Sequence, residues 1–242
     1  MTKRLALLAA AALFFPALAG ATEFGGFYNS ASQADLKPFA RDLGGLLGSD
    51  TFHTGRVLGF SGFDMGGHIA MQFLPDKDDA VMRANGAHPV VLPWAQAEVG
   101  LPLKIDGFVR GTNLDGMTAV GGGLRYGLLR VSDVPWKPQL LAIIVGNAAT
   151  AQWFTADHVG ASLVGSMGNQ TYTPYLGIGL DRTRVTVTEA TANVASGTSA
   201  LALESRFTAG IQYRPWTFLY ADAAYVFMHG QSGAEAGLGM RF

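Results

Sequence analysis

The chain has 242 residues, no cysteine, 32 glycines, 14% charged residues and a formal net charge of −1. That balance excludes the basic footprint of a nucleic-acid-binding protein, and the lack of cysteine excludes a disulfide framework and a lipid-modified N-terminal cysteine. Mean hydropathy is high at +0.22, yet the chain past its N-terminal stretch has no apolar run near the roughly 18 residues of a spanning helix, so a large soluble β core or a membrane β-barrel remains.

The N-terminus combines a basic start, Lys3 and Arg4, with an apolar stretch, LALLAAAALFF, and a small-residue exit, PALAGA. This is the pattern of a secretory signal peptide over residues 1–21, with cleavage expected after Ala19 or Ala21. Its removal leaves an excess of three acidic residues in the mature chain.

From Ser32 the texture is helical. Leu36, Phe39, Ala40, Leu43 and Leu47 form one stripe at helical spacing. Ser32 and Asp35 suggest a capping box, Pro38 fits a first turn, and Gly44 and Gly45 are expected to end or loosen the helix. A helix this short is marginal alone in water and must lie against something. We therefore expect residues 22–55 to be a helical plug or a periplasmic segment.

Near Gly62 the period changes to two. Phe63, Met65, Gly67, Ile69, Met71 and Phe73 alternate with Asp64, Gly66, His68, Ala70 and Gln72, so one face is greasy and the other small, polar or ionisable. The pattern recurs and predicts about ten strands, near 58–73, 90–101, 104–113, 117–130, 138–149, 155–168, 171–188, 200–214, 216–229 and 233–242. Alternation alone allows either a sandwich or a barrel. Glycine on the polar face, as in GGGLRYG, and aromatics near strand ends (Trp94, Trp136, Trp153, Trp216, Tyr213, Phe242) favour a transmembrane barrel with a crowded lumen and interfacial girdles.

Connections sort by length. Segments 75–88 and 189–200 are long and turn-rich; those near 102, 169 and 214–216 are short; 131–138 is long for its side. Long outer loops and short periplasmic turns are the rule for outer-membrane barrels, and an even strand count places both termini in the periplasm. The expected fold is all-β, an antiparallel transmembrane β-barrel of about ten strands over residues 56–242 with a short N-terminal amphipathic helix, in the outer membrane of a Gram-negative bacterium. Closure sets the first strand beside the last, with Arg241 paired with Asp64 or one residue pair away.

The last residues, EAGLGMRF, keep period two to the end. Glu235, Gly237, Met240 and Phe242 resemble the C-terminal signal read by the barrel-assembly machinery, which that resemblance implies as a partner beside membrane lipid. LKPFARDLGGLL, GFSGFDMGGHIAMQFLP, VGLPLKIDGFVRG, TPYLGIGLD and the terminal strand together resemble an uncharacterised family of outer-membrane proteins that pair an N-terminal helical segment with a barrel. A weaker, purely architectural likeness is to long-chain fatty-acid transporters, which hold a helical hatch inside a barrel.

The lumen face is expected to carry Asp64, His68, Gln72, Glu98, Arg110, Arg125, Asp181, Glu204, Arg206, Asp222, Glu235 and Arg241 as a charge network, because buried charges need partners. No GxSxG or HExxH motif is present, and no cofactor or metal is implied. Ser162 and Ser166 are the hydroxyls available for a triad assembled across strands. Asp76, Asp78, Asp79 and His88 would mark a rim site of the kind that the ten-stranded omptin proteases use, while His158 and His229 stand scattered. The leading reading is a barrel that passes or binds a small or hydrophobic molecule, gated by a plug bearing Leu36, Phe39, Leu43 and Leu47. The alternative is an outer-membrane barrel enzyme, a hydrolase or acyltransferase, with a lumenal or rim site.

Overall fold

A computed structural model describes residues 24–242. The signal-peptide segment 1–21 and its cleavage positions lie outside the described residues. Two helices come first, α1 (Phe27–Ser30) and α2 (Leu36–Gly48), followed by ten strands: β1 (Phe63–Gln72), β2 (Val90–Leu101), β3 (Ile105–Leu114), β4 (Met117–Gly127), β5 (Gln139–Thr150), β6 (Phe154–Ser166), β7 (Tyr172–Val187), β8 (Ser199–Tyr213), β9 (Leu219–Met228) and β10 (Gln231–Arg241). The strands form one closed antiparallel ring, each paired with its sequence neighbour and β1 with β10. The seam has the expected register: Asp64 stands opposite Arg241, and pairing continues to Gln72 opposite Gly233.

Side-chain parity sets the two faces. Val109, Ile144, Leu176, Ile178, Leu180 and Leu203 point outward with more than half of their surface uncovered, as a lipid-facing belt requires. Residues of the other parity are buried in the lumen. Glycine lets that lumen close: a Cβ at Gly123 would lie 2.8 Å from the Phe108 ring, and one at Gly177 2.5 Å from the Phe52 ring.

Strand bounds follow the alternation to within a few residues, with one large difference. β1 begins at Phe63 and not near 58, because Gly59 (φ 88°) and Ser61 (φ 63°) turn the chain and the Gly62 N–H closes on the Gly59 carbonyl at 3.0 Å. Segments 73–89 and 188–198 crowd one end of the barrel, the loop end, but 115–116, 151–153 and 229–230 are tight turns at that same end. The other end holds Phe242 and the connections 102–104, 128–138, 167–171 and 214–218.

α2 lies inside the lumen. Its apolar stripe packs as its spacing implies, and Pro38, third in the helix, needs no intrahelical donor there. Asp35 takes the Ser32 N–H at 2.9 Å and the Ser32 hydroxyl at 2.5 Å, one half of the anticipated box, while the helix itself starts at Leu36. Gly44 and Gly45 do not end the helix. They lie where it meets the wall, a Cβ on Gly44 coming within 2.9 Å of the Thr183 Cβ. Each glycine costs about 1 kcal/mol against alanine, and close packing offsets that.

The direction of the plug separates the first described residue from the C-terminal one. Phe24, the first described residue, packs at the loop end with Phe39 and Phe154, and the Tyr28 carbonyl accepts from Ala192 N in loop 188–198 at 3.3 Å. The chain then runs down the lumen to Arg56, which pairs with Asp133 at 2.7 Å at the far end. Phe24 and Phe242 therefore lie at opposite ends of the barrel.

Candidate functional site: a filled lumen in two layers

The layer nearest the loop end is apolar. Leu36, Phe39, Ala40, Leu43, Leu46 and Leu47 of α2 are fully buried with Phe24 and Phe27 against wall residues Leu92, Trp94, Met117, Ala119, Phe154, Ala156, Val185, Val187 and Ala202. Aromatic rings meet edge-on at its centre, Phe39 to Phe27 at 5.2 Å and Phe39 to Phe154 at 4.9 Å.

Below it lies a charged layer built around the end of α2. Asp50 adopts a left-handed φ of 57° immediately after the C-cap Ser49, a conformation that Asp tolerates and that terminates helices. The carbonyls freed there are taken by wall side chains. Arg206 Nη2 donates to Gly45 O at 3.0 Å and Nη1 to Ser49 Oγ at 2.5 Å. Arg110 Nη1 donates to Ser49 O at 2.7 Å, and its Nη2 to Leu47 O. Asn147 Nδ2 shares that Leu47 carbonyl at 2.9 Å. Arg125 Nε donates to Thr51 O at 3.0 Å. Three strand arginines thus hold the negative end of the helix dipole.

Acidic partners complete the layer. Arg125 pairs with Glu98, and Arg206 with Asp181 at 2.7 Å. His68 Nδ1 meets Asp50 Oδ1 at 3.1 Å, while Glu235 Oε1 accepts the Asp50 N–H at 2.8 Å. At the seam, Asp64 accepts from Tyr220 OH at 2.8 Å and from Arg241 Nε at 3.3 Å. Asp222 lies 3.5 Å from Tyr175 OH. Of the anticipated lumen residues, Glu204 and Gln72 stand apart near the loop end: Glu204 pairs with Arg41 at 2.8 Å, and Gln72 Nε2 donates to Asp42 Oδ1 at 2.7 Å.

Several participants were not anticipated. Trp94, read as a girdle residue, is inside the lumen with the Arg110 guanidinium 4.1 Å from its ring. His158 is buried beside Thr183 and 3.6 Å from Asp181. Asn147 has the lumen parity of its strand, a signal that could have named it; Asp50 had no such signal, because it lies between the helix and the first strand, where neither period applies.

The acidic loop ties its carboxylates to its own backbone and to the plug. Asp79 Oδ1 accepts from Val81 N and Met82 N at 2.9 and 3.0 Å, and Asp76 accepts from Asp78 N and Arg41 Nη1 at 3.0 and 3.1 Å. Asp42 of α2 reaches up to Gln72 Nε2 and Asp76 N, both at 2.7 Å, with His229 3.5 Å away. Ser166 meets only Thr54 Oγ1, at 3.5 Å, so no serine–histidine pair forms on it among the described residues.

The loop carries a pH response. Burial first, and then the neighbouring Asp42 carboxylate, push the Asp79 carboxyl up to about 8. A carboxyl raised in the folded state binds its proton there and releases it on unfolding below that value. The seating of loop 73–89 on the plug therefore weakens as pH rises from about 4 to about 8, by up to about 1.4 kcal/mol per pH unit. Asp79→Asn, which mimics the protonated form, is expected to flatten this slope. Hydrogen exchange of residues 76–84 between pH 5 and pH 9 checks it; an unchanged slope in the variant refutes the assignment.

No protein-family model matches the chain, and no curated protein is significantly similar to it. Solved structures that align with it are bacterial outer-membrane barrels. The N-terminal β-barrel domain of Pseudomonas aeruginosa OprF is 13% identical, covering 76% of this chain and 99% of that one, with a TM-score of 0.36. Neisserial surface protein A is 14% identical over 74% and 95%, with a TM-score of 0.35. The outer membrane enzyme PagL is 13% identical over 57% and 98%, with a TM-score of 0.29. Values of this size transfer no role to this chain, and its barrel architecture rests on its own closed ring of strands.

Proposed function

We propose that the chain is an outer-membrane barrel whose lumen is a hatch-closed site for a small hydrophobic molecule. The loop end faces outward and the C-terminal end lies in the periplasm, in keeping with the long loops 73–89 and 188–198. One observation carries the reading: beside the polar contacts of Asp42 with Gln72 and Asp76, a continuous part of the loop-end lumen is apolar on its wall as well as on its plug. With residues 24–48 withdrawn, Leu92, Met117, Ala119, Phe154 and Val185 line an apolar chamber open to the outside. Glu235, Gly237, Met240 and Phe242 serve the barrel-assembly machinery, and Phe242, two-thirds exposed, pairs its backbone with Phe63 at the lipid edge.

A disulfide tests the hatch. The chain has no cysteine, and a Cβ on Gly44 stands 2.9 Å from that of Thr183, so a shift of about 1 Å reaches disulfide spacing. The Gly44→Cys/Thr183→Cys protein is expected to bind hexadecanol when reduced and not when oxidised, read by native mass spectrometry from detergent. Equal binding in both states, or none in either, overturns the hatch.

A further inference from the structure

The end of the barrel that holds Phe242 carries a polar cleft of about 550 Å³, beyond the plug helix. Gln139 at the start of β5, Ser166 at the end of β6, Thr173 in β7 and Gln212 in β8 line it, together with residues of the connections 128–138 and 167–171. Four cations border this cleft, Arg56, Lys137, Arg214 and Arg241, against one carboxylate, Asp133. The Asp133 side chain is 81% exposed and pairs with Arg56, while Arg241 reaches Asp64 at 3.3 Å. Arg214 donates through Nε to the Gln170 carbonyl at 3.1 Å, and among the described residues neither it nor Lys137 forms an ion pair. Burial and the like charges of Arg241 and Arg56 hold the Arg214 guanidinium below its ordinary value, against a smaller pull from Asp133. Positive charge is in excess at this mouth.

A second, independent feature belongs to the same cleft. Gln139 is 8% exposed and Gln212 5%, and neither amide Nε2 has a hydrogen-bond partner. Leaving a buried donor unpaired is costly. Unbalanced cations and unpaired donors require the same thing, a negatively charged group rich in acceptors. Two cations without a carboxylate are balanced by a dianion, and a phosphomonoester carries about −1.5 to −2 at pH 7 on three acceptor oxygens. We infer that this mouth binds a free, hydroxylated phosphomonoester, its phosphate held by Arg214, Lys137 and the amides of Gln139 and Gln212, and its body against Ser166 and Thr173. A free molecule fits better than a lipid headgroup because Gln139, Ser166 and Gln212 are buried at lumen-facing positions of their strands, so the cleft opens within the ring and not onto the lipid-facing belt. In the orientation proposed above this is the periplasmic mouth, and the site needs no movement of the hatch.

The test is isothermal titration calorimetry of the whole protein in detergent micelles near pH 7, with three probes: glycerol 3-phosphate, glycerol and dioctanoyl phosphatidic acid. Folding of every variant is checked by heat-modifiable migration. Glycerol 3-phosphate is expected to bind and glycerol is not. Arg214→Gln lowers the affinity about tenfold, the worth of one charge-assisted contact, and Gln212→Leu lowers it about fivefold, as for a neutral donor. Lys104→Gln, which removes a cation at the same end but outside the cleft, leaves the affinity unchanged. Equal losses in Lys104→Gln and Arg214→Gln would reveal diffuse attraction and overturn the site, as would full affinity in Arg214→Gln. Binding of phosphatidic acid without glycerol 3-phosphate assigns the phosphate to a membrane lipid and overturns the free ligand. Glycerol bound as tightly as glycerol 3-phosphate removes the phosphate from the recognition, and binding of no probe refutes the inference.

Discussion

Arg206→Met is expected to lower the stability of the folded barrel by about 3–5 kcal/mol, the range for breaking a buried ion pair from one side. Arg206 donates to Asp181 Oδ2 through Nε and Nη2 at 2.9 and 2.7 Å, and to Gly45 O and Ser49 Oγ of the plug. The variant leaves Asp181 as a buried charge without these donors and removes the Arg206 bonds to Gly45 O and Ser49 Oγ. Removing both charges with Arg206→Met/Asp181→Leu should recover much of the loss, since an apolar replacement of a whole buried pair is often neutral. Urea unfolding in detergent micelles, followed by gel migration, gives the three values. A cost below about 1 kcal/mol for the single variant would mean that the arginine is solvated and that the plug is loosely held.

Much of this architecture is legible in the sequence, and particular residues show why. Asp64, His68 and Gln72 alternate with Phe63, Met65 and Ile69, and a two-faced strand has a single way to place them once the greasy side meets lipid. The seam followed from that parity, because β1 and β10 must meet and Asp64 and Arg241 both point inward. What escaped reading was of two kinds. The stripe of α2 announced a helix that packs on something, but a helix surrounded by wall buries Asp42 and Gly45 as fully as Leu43, so the stripe did not show that it runs through the lumen. The partners of Arg110 and Arg125 on the plug are backbone carbonyls, which every residue has and no sequence letter marks. Trp94 was grouped with the girdle aromatics although it shares the strand parity of Gln96 and Glu98, and it lies inside the lumen with them.

The outer face makes the second large prediction. Ile144 lies midway along β5 with 57% of its surface uncovered, opposite Leu124 on β4 and Ala161 on β6. Ile144→Arg is expected to cost about 2–4 kcal/mol, whereas Leu140→Arg, on the same face near the strand end, should cost about 0–1 kcal/mol because its guanidinium reaches the interface. Unfolding from lipid vesicles measures both. Equal costs at the two positions would show that the face has no membrane depth, and the transmembrane reading would fail with it.

The threaded plug also fixes an order of events in biogenesis. The chain descends the lumen from Phe24 at the loop end, and the residues after the helix reach the far end at Arg56 before the first strand begins. A helix with its side chains is about 10–12 Å across, and the charged layer of a closed ring bars a segment of that width arriving from the C-terminal end. The strands therefore curl around the segment while the sheet is still open, and the docking of β10 on β1 completes the wall around it. That seam joins residues as far apart as Asp64 and Arg241, 177 positions along the chain, the kind of contact that forms slowest. Until it forms, the half-built sheet has two free edges and an apolar inner wall covered only by its own N-terminus, which makes the plug a chaperone carried within the chain.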